Sequence, residues 1–305
     1  LLLLFAFITG IDHALFQPIR TSLPPALVPR EDLPAAIAFG GFTWNSARLI
    51  GPAVGAVILE NFNVEAVFLI NTFLYLWFFT ALWMVKVVPH AEREPSGLSI
   101  IGDIIAGYRY ATSHPLIRPS LIILFGSSFL TRPLVELLPG LSSSVFHQGA
   151  GGLAILTSSM GIGAVLAGIT IAQRGKFEGL ATITTYAVLV GAMVLMIITN
   201  TSHFGIAILG MILFGIQYSL VGTCVQSIIQ AVSEDKMRGR VLALYGLIWI
   251  GGAAIGSVVM GALSEVFGLT RPLAVSGAIC LGVFLYSYFM KNKIESQIIK
   301  HQTRD

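Results

Sequence analysis

Long apolar runs recur along the whole of this chain, among them "AVLVGAMVLMIIT" and "LAVSGAICLGVFLYSYFM". Soluble domains carry about 25% charged residues, and here only 11% of 305 residues are charged while 55% are hydrophobic. Such a chain cannot cover a water-facing surface, so it is a polytopic, all-α membrane bundle. About twenty apolar residues cross a bilayer. That spacing predicts nine spans, over 1–18, 35–59, 64–87, 117–139, 151–173, 179–199, 203–229, 240–264 and 271–290.

Basic residues then orient the spans, because Lys and Arg accumulate in cytoplasmic loops. Fifteen of the 18 Lys and Arg residues fall in the odd-numbered connections and the C-terminal tail. Arg271 alone lies on the other side, and Arg48 and Arg132 lie inside spans. The C-terminus is therefore expected in the cytoplasm and Leu1 on the far side.

A shift of 205 residues lays 35–62 over 240–267 without a gap, and eight of 28 positions match, including Trp44 with Trp249 and Gly51 with Gly256. The second and eighth spans thus repeat, which implies a six-helix unit used twice, as in transporters built of parallel halves. Nine spans and this repeat imply twelve, with the first three missing. The expected division is 1–88 as the remainder of an N-terminal half, 89–116 as a cytoplasmic inter-half loop, 117–291 as a C-terminal six-helix half, and 292–305 as a cytoplasmic tail. Within the loop, apolar residues at 100, 101, 104, 105 and 108 make one helical stripe. Either an interfacial helix or a plain surface helix fits it.

Several function classes fall away. A net charge of +3 with scattered basic clusters does not suggest nucleic acid. Cys224 and Cys280 sit in apolar segments and indicate neither a disulfide framework nor a metal site. There is no phosphate-binding "GxxxxGK[ST]", so ATP is not the energy source within this chain, and neither "HExxH" nor "GxSxG" appears. The chain is therefore read as no enzyme, and no cofactor is expected.

Four stretches carry a family resemblance: 16–59 ("FQPIRTSLPPALVPREDLPAAIAFGGFTWNSARLIGPAVGAVIL"), 97–121, "RPLVELLP" at 132–139 and "DKMRGRVLALYGLIWIGGAAIGS" at 235–257. With them the chain resembles the major facilitator superfamily, in the exporter branch of enterobactin exporters and secretion permeases. The resemblance runs over essentially the whole chain and implies family helices four to twelve. "GPAVGA" looks like the helix-five motif of antiporters and exporters, with Ala56 where a second Gly is common. "AQRGKF", with Arg174 and Lys176, looks like a degenerate second-half copy of the family's loop signature.

The site candidates follow from membrane physics. Gly51 and Gly55, four apart, let a neighbouring helix approach closely, and Pro52 removes a helix hydrogen bond. This seam, with Gly256 as its counterpart, is either a packing notch or a seal between the two membrane faces. Arg48 lies near mid-membrane, where an arginine costs about 2.5 kcal/mol or more. With Asn45 beside it, it reads as a substrate or coupling residue, or as a cross-link between helices. Arg132 and Glu136 share a helix face at i, i+4. They are either a local ion pair, or Glu136 is a proton acceptor released when substrate or proton intervenes. Pro133 and Pro139 predict that this helix is broken. Asp12 is a further proton-site candidate. Gln217, Gln226 and Gln230 read as glue between helices. Arg238 and Arg240 are expected to anchor to headgroups or to pair with Glu234 and Asp235.

The expected function is export of a small amphipathic molecule by alternating access from the bacterial inner membrane, coupled to protons because Asp12 and Glu136 can change protonation. Two alternatives stand beside it: a membrane anchor or regulator for a partner enzyme, and a transporter of lysophospholipid type. The expected partners are a small-molecule substrate, protons and the lipid bilayer. No nucleic acid is expected, and no oligomer is indicated.

Overall fold

The computed structural model describes residues 61–85, 100–174 and 179–302, and singly Gly10, Leu27, Thr43, Ala47, Ile50, Gly51, Val54, Gly55 and Ile58. Asp12, Asn45, Arg48, Pro52 and Lys176 lie outside the described residues, as do most of the first two expected spans and the first copy of the repeat. Among the described residues every regular element is a helix: α1 (Val64–Met84), α2 (Ile100–Ser113), α3 (Ile117–Thr131), α4 (Pro133–Glu136), α5 (Leu138–Gly140), a π-helical turn (Leu141–Val145), α6 (Gly149–Arg174), α7 (Leu180–Thr199), α8 (Phe204–Val232), α9 (Asp235–Phe267) and α10 (Thr270–Gln302). Seven described segments are long and apolar enough to cross a membrane, and they coincide with the last seven expected spans.

The chain divides into two compact units, 1–47 with 57–96, and 48–56 with 97–305. In the first, α1 begins where Asn63 Oδ1 accepts from the Ala66 amide at 3.0 Å, satisfying one amide that a helix start leaves open. Its threonines stay inside the helix's own bonding: Thr72 Oγ1 donates to the Phe68 carbonyl and Thr80 Oγ1 to the Trp77 carbonyl, each at 2.8 Å. Hydrocarbon offers no water to replace such bonds.

In the second unit, α3 to the π-helical turn run as one interrupted span over Ile117–Val145. The interruption falls at Arg132 and Leu137, beside Pro133 and Pro139. Pro133 has no amide, so the Phe129 carbonyl loses its usual partner four residues on. Gly256 of α9 answers it. A Cβ there would fall on that carbonyl oxygen, so a glycine hydrogen points at it instead, a weak Cα–H···O contact. One turn earlier, Gly252 meets the Ser128 hydroxyl in the same way, and Ser128 Oγ reaches the Ile248 carbonyl at 3.3 Å. A small pair four apart thus seats α9 on α3. A tighter crossing joins α6 and α8: a Cβ on Gly163 would land on the Ile212 carbonyl, and one on Gly215 on the Met160 carbonyl. By contrast, neither Gly51 nor Gly55 has a described atom within 4 Å of a Cβ position.

Two apolar clusters fill this unit. One joins Leu124 and Leu130 of α3 to Val188, Ala192, Val221 and Val225. The other joins Leu134 and Leu138 to Val194, Met211 and Phe214. Between them lies a polar layer, at Thr131 and Arg132 on one side and Gln217 and Tyr218 on the other.

α2 packs on the start of α9. Asp103 Oδ1 lies 2.7 Å from Arg240 Nη2 as an ion pair, without the alignment of a hydrogen bond. Gly107, a buried position, lets the Arg240 Cβ pass within 3.0 Å of its own Cβ position. Tyr110 Oη accepts from the Glu234 amide at 3.3 Å. The acidic partner shown for Arg240 is therefore Asp103, from a distant helix; the Asp235 side chain lies outside the described residues. Arg238 caps α8, its Nε donating to the Gln230 carbonyl at 3.2 Å, where a helix C-terminus favours a cation. The α2 pair is about a third exposed on its acidic side, so Asp103→Asn is expected to cost less than about 1 kcal/mol. Its readout is local: amide exchange in 100–113 should quicken several-fold while the melting temperature holds.

Candidate functional site

Arg132 occupies the break between α3 and α4, about 20 Å along the axis from Ile117 at 1.5 Å per residue. Tyr218 on α8 and Trp249 on α9 lie at comparable depth, about 20 Å from the starts of their own spans. With about 30 Å of hydrocarbon to cross, the three meet near mid-membrane. The guanidinium Cζ stands 5.2 Å from the Tyr218 ring centroid and 5.3 Å from that of Trp249. Nη1 donates to the Trp249 carbonyl at 3.1 Å.

The aromatic walls are held in turn. Tyr218 and Trp249 pack at 5.1 Å between centroids, and Tyr245 stacks on Trp249 at an interplanar angle of 11°. Tyr245 Oη donates to the Gly222 carbonyl at 3.0 Å. Gly222 keeps this contact close, since a Cβ would come within 3.2 Å of the Trp249 ring, tighter than an ordinary van der Waals contact. Beneath this, Gln217 Nε2 donates to Thr131 Oγ1 at 3.3 Å. Its Oε1 is buried without a partner. Gln217 is 1% exposed and sits against Gly191, which makes it a bridge from α8 to α3 and α7.

Arg132 and Glu136 do not pair: among the described residues the ion pair shown is Arg240 with Asp103. The turn at Arg132 takes the guanidinium toward α8 and α9, and the Glu136 side chain is exposed. Guanidinium has five N–H donors, of which one bond to protein is accounted for. Two aromatic faces and a carbonyl stabilise a cation without neutralising it. Chemically, the cluster is an anion seat with flat walls.

The other candidates fall elsewhere. Arg238 and Arg240 belong to the α8–α9 junction and the α2 contact. Arg174 ends α6, with its side chain outside the described residues. Gly256 is brought to α3, next to the Arg132 break. Sequence reasoning missed Tyr218, Tyr245, Gly163, Gly215 and Gly252. It met Trp249 as the partner of Trp44 in the repeat and inside the 235–257 stretch that carries the resemblance, without assigning it a role.

Comparison with known proteins agrees with this picture of a helical membrane transporter. The family model described as transmembrane secretion effector matches residues 1–303. The staphyloferrin A transporter of Staphylococcus aureus is 25% identical, over 97% of this chain and 74% of the relative. Enterobactin exporter EntS of Citrobacter koseri is 24% identical, over 83% of this chain and 60% of the relative. Macrolide efflux protein A of Streptococcus pyogenes is 19% identical, over 93% of this chain and 71% of the relative. The chain thus spans between three-fifths and three-quarters of the length of these relatives. They are transporters rather than enzymes. This multi-pass membrane chain belongs to the transmembrane secretion effector family of the major facilitator superfamily.

Proposed function

We propose that the chain is a secondary active exporter of a small anionic or amphipathic molecule, working by alternating access with protons as the counter-ion. The observation that carries this reading is Arg132, a mid-membrane cation held by Tyr218 and Trp249 and neutralised by no described carboxylate. Charges at that depth are costly and mark transport pathways. In this reading 1–88 completes an N-terminal half, 117–291 forms the C-terminal half, and 89–116 joins them in the cytoplasm with the C-terminal tail. Nine spans then correspond to helices four to twelve of the family. Arg48 and Asn45 stand as further substrate contacts, and Asp12 and Glu136 as proton sites. Gly51, Pro52 and Gly55 form the seal between the membrane faces, while Arg174 and Lys176 belong to a cytoplasmic loop.

Staphyloferrin A, enterobactin and a macrolide form the first substrate panel, taken from the names of the relatives. The test is accumulation of each in inverted vesicles under an imposed proton gradient. Uptake that collapses when a protonophore dissipates the gradient supports the reading. A chain that moves none of the panel, yet co-purifies with a partner enzyme, would overturn it. Glu136→Gln tests the coupling assignment separately. It is expected to cut gradient-driven uptake at least tenfold while substrate exchange without a gradient continues. Unchanged proton flux and unchanged uptake would remove Glu136 from the mechanism.

A further inference from the structure

A cavity of about 280 Å³ opens between α7 and α8. Ile183, Tyr186, Val190, Ile216 and Leu220 line it together with Thr182 and Gln217, the last of which also bonds to Thr131 beneath the Arg132 cluster. From Ile183 to Val190 it runs about 10 Å along α7. Its walls are almost wholly hydrocarbon, and α7 continues with Met193 and Ile197, 48% and 44% exposed. An apolar side chain left open on a spanning helix faces lipid.

One end of this groove carries a charge. Tyr186 is shared between the cavity and Lys291 of α10, whose Nζ lies 5.2 Å from the Tyr186 ring centroid and 4.0 Å from that of Tyr288. Lys291 is about 30 Å along α10 from Thr270, the thickness of the hydrocarbon core. The ammonium therefore stands at headgroup level, where the helix emerges. Among the described residues it has no carboxylate within ion-pair distance. Glu295, one turn further, is held at the groove wall and not on Lys291: its Oε2 accepts from Thr182 Oγ1, a lining residue, at 2.8 Å, and its Oε1 is buried. Tyrosines flanking a lysine at this level are the usual interfacial anchors of a span.

We propose that this groove is a binding site for an anionic phospholipid, with the lipid phosphate on Lys291 between Tyr186 and Tyr288 and one acyl chain lying along α7 and α8. Charge complementarity selects the headgroup, and the apolar walls accept the chain. The proposal rests on Lys291 and the apolar groove, and it stands or falls without the transport reading.

The test uses the whole chain, stripped of lipid in detergent and offered equal amounts of phosphatidylglycerol, phosphatidylethanolamine and phosphatidylcholine with identical acyl chains. Bound lipid is counted by native mass spectrometry. One lysine at the membrane surface contributes about fivefold in preference for an anionic headgroup, so phosphatidylglycerol should exceed phosphatidylcholine by about that factor. Lys291→Gln should bring the ratio near one, and Lys291→Arg should keep it. Val190→Phe, which fills the groove, should lower retention of all three lipids. Equal binding of the three lipids by the wild-type chain, or an unchanged ratio in Lys291→Gln, overturns the proposal. Unchanged retention in a helical Val190→Phe chain overturns the groove as the chain's seat. If that variant fails to fold, the surface substitution at Lys291 decides alone.

Discussion

Arg132→Met is expected to lower the affinity for the exported molecule by about 100-fold and to leave thermal stability near that of the wild type. The two halves of this statement come from opposite sides of one balance. Placing an arginine at the centre of a span costs about 3 kcal/mol. Against this stand a hydrogen bond from a charged donor, worth about 1.5–3 kcal/mol, and aromatic faces worth about 2 kcal/mol when desolvated. The sum is close to zero, so an apolar side chain of similar length is close to neutral for folding. For a bound anion the arithmetic differs. Truncating one partner of a desolvated, hydrogen-bonded charge pair costs about 2–5 kcal/mol, and every 1.4 kcal/mol is tenfold. Arg132→Lys keeps the charge but not the planar fork or the stacking on Tyr218 and Trp249. It should fall between the other two in both binding and vesicle transport. A purely structural Arg132, tying α3 to α9 through the Trp249 carbonyl, gives the reverse pattern. The melting temperature would then drop in Arg132→Met, and the substrate affinity of the folded fraction would hold.

The partners of Arg132 show how far the sequence could be read. A charge inside a span announces itself, and so does the break beside it, because Pro133 and Pro139 leave carbonyls that lipid will not satisfy. Span positions were legible for the same reason: 179–199 and 203–229 became Leu180–Thr199 and Phe204–Val232. The end of the broken span was misjudged, since Pro139 lies in the first turn of α5 and the π-helical turn carries on to Val145. Pairings across helices were not legible. Trp249 lies 117 residues from Arg132, and Asp103 reaches Arg240 from another helix, although Glu234 lies far nearer in sequence. Local charge arithmetic prefers neighbours, whereas packing of α2 through Gly107 decides the actual pair. Glycine is the hardest case. Apolar helices are full of it, and only the crossing geometry separates Gly163 and Gly215, with a backbone carbonyl against each, from Gly168, with nothing within 4 Å.

That contrast sets the largest expected effect on stability. Gly163→Ala and Gly215→Ala should each cost about 2 kcal/mol, as a methyl group forced into a filled contact does, whereas Gly168→Ala should be neutral or slightly stabilising. The obstacle at the first two is a backbone carbonyl, which cannot rotate away as a side chain can, so α6 and α8 must separate along the crossing. In lipid that separation forfeits van der Waals contact, which is the main attraction between spans. Once the helices have moved for one methyl, the second enters space already made. The double variant should therefore cost less than the sum of the singles, by about 0.5–3 kcal/mol. Unfolding in mixed micelles of dodecyl maltoside and sodium dodecyl sulfate measures all four chains on one scale. Additive costs would mean that the two glycines act at separate contacts, and a neutral Gly163→Ala would deny the crossing itself. The displacement also reaches the anion seat. Gly215 lies one turn from Tyr218 on α8, so moving that turn away from α6 shifts one wall of the Arg132 cage. Gly215→Ala should then weaken substrate binding as well as the fold, while Gly168→Ala alters neither.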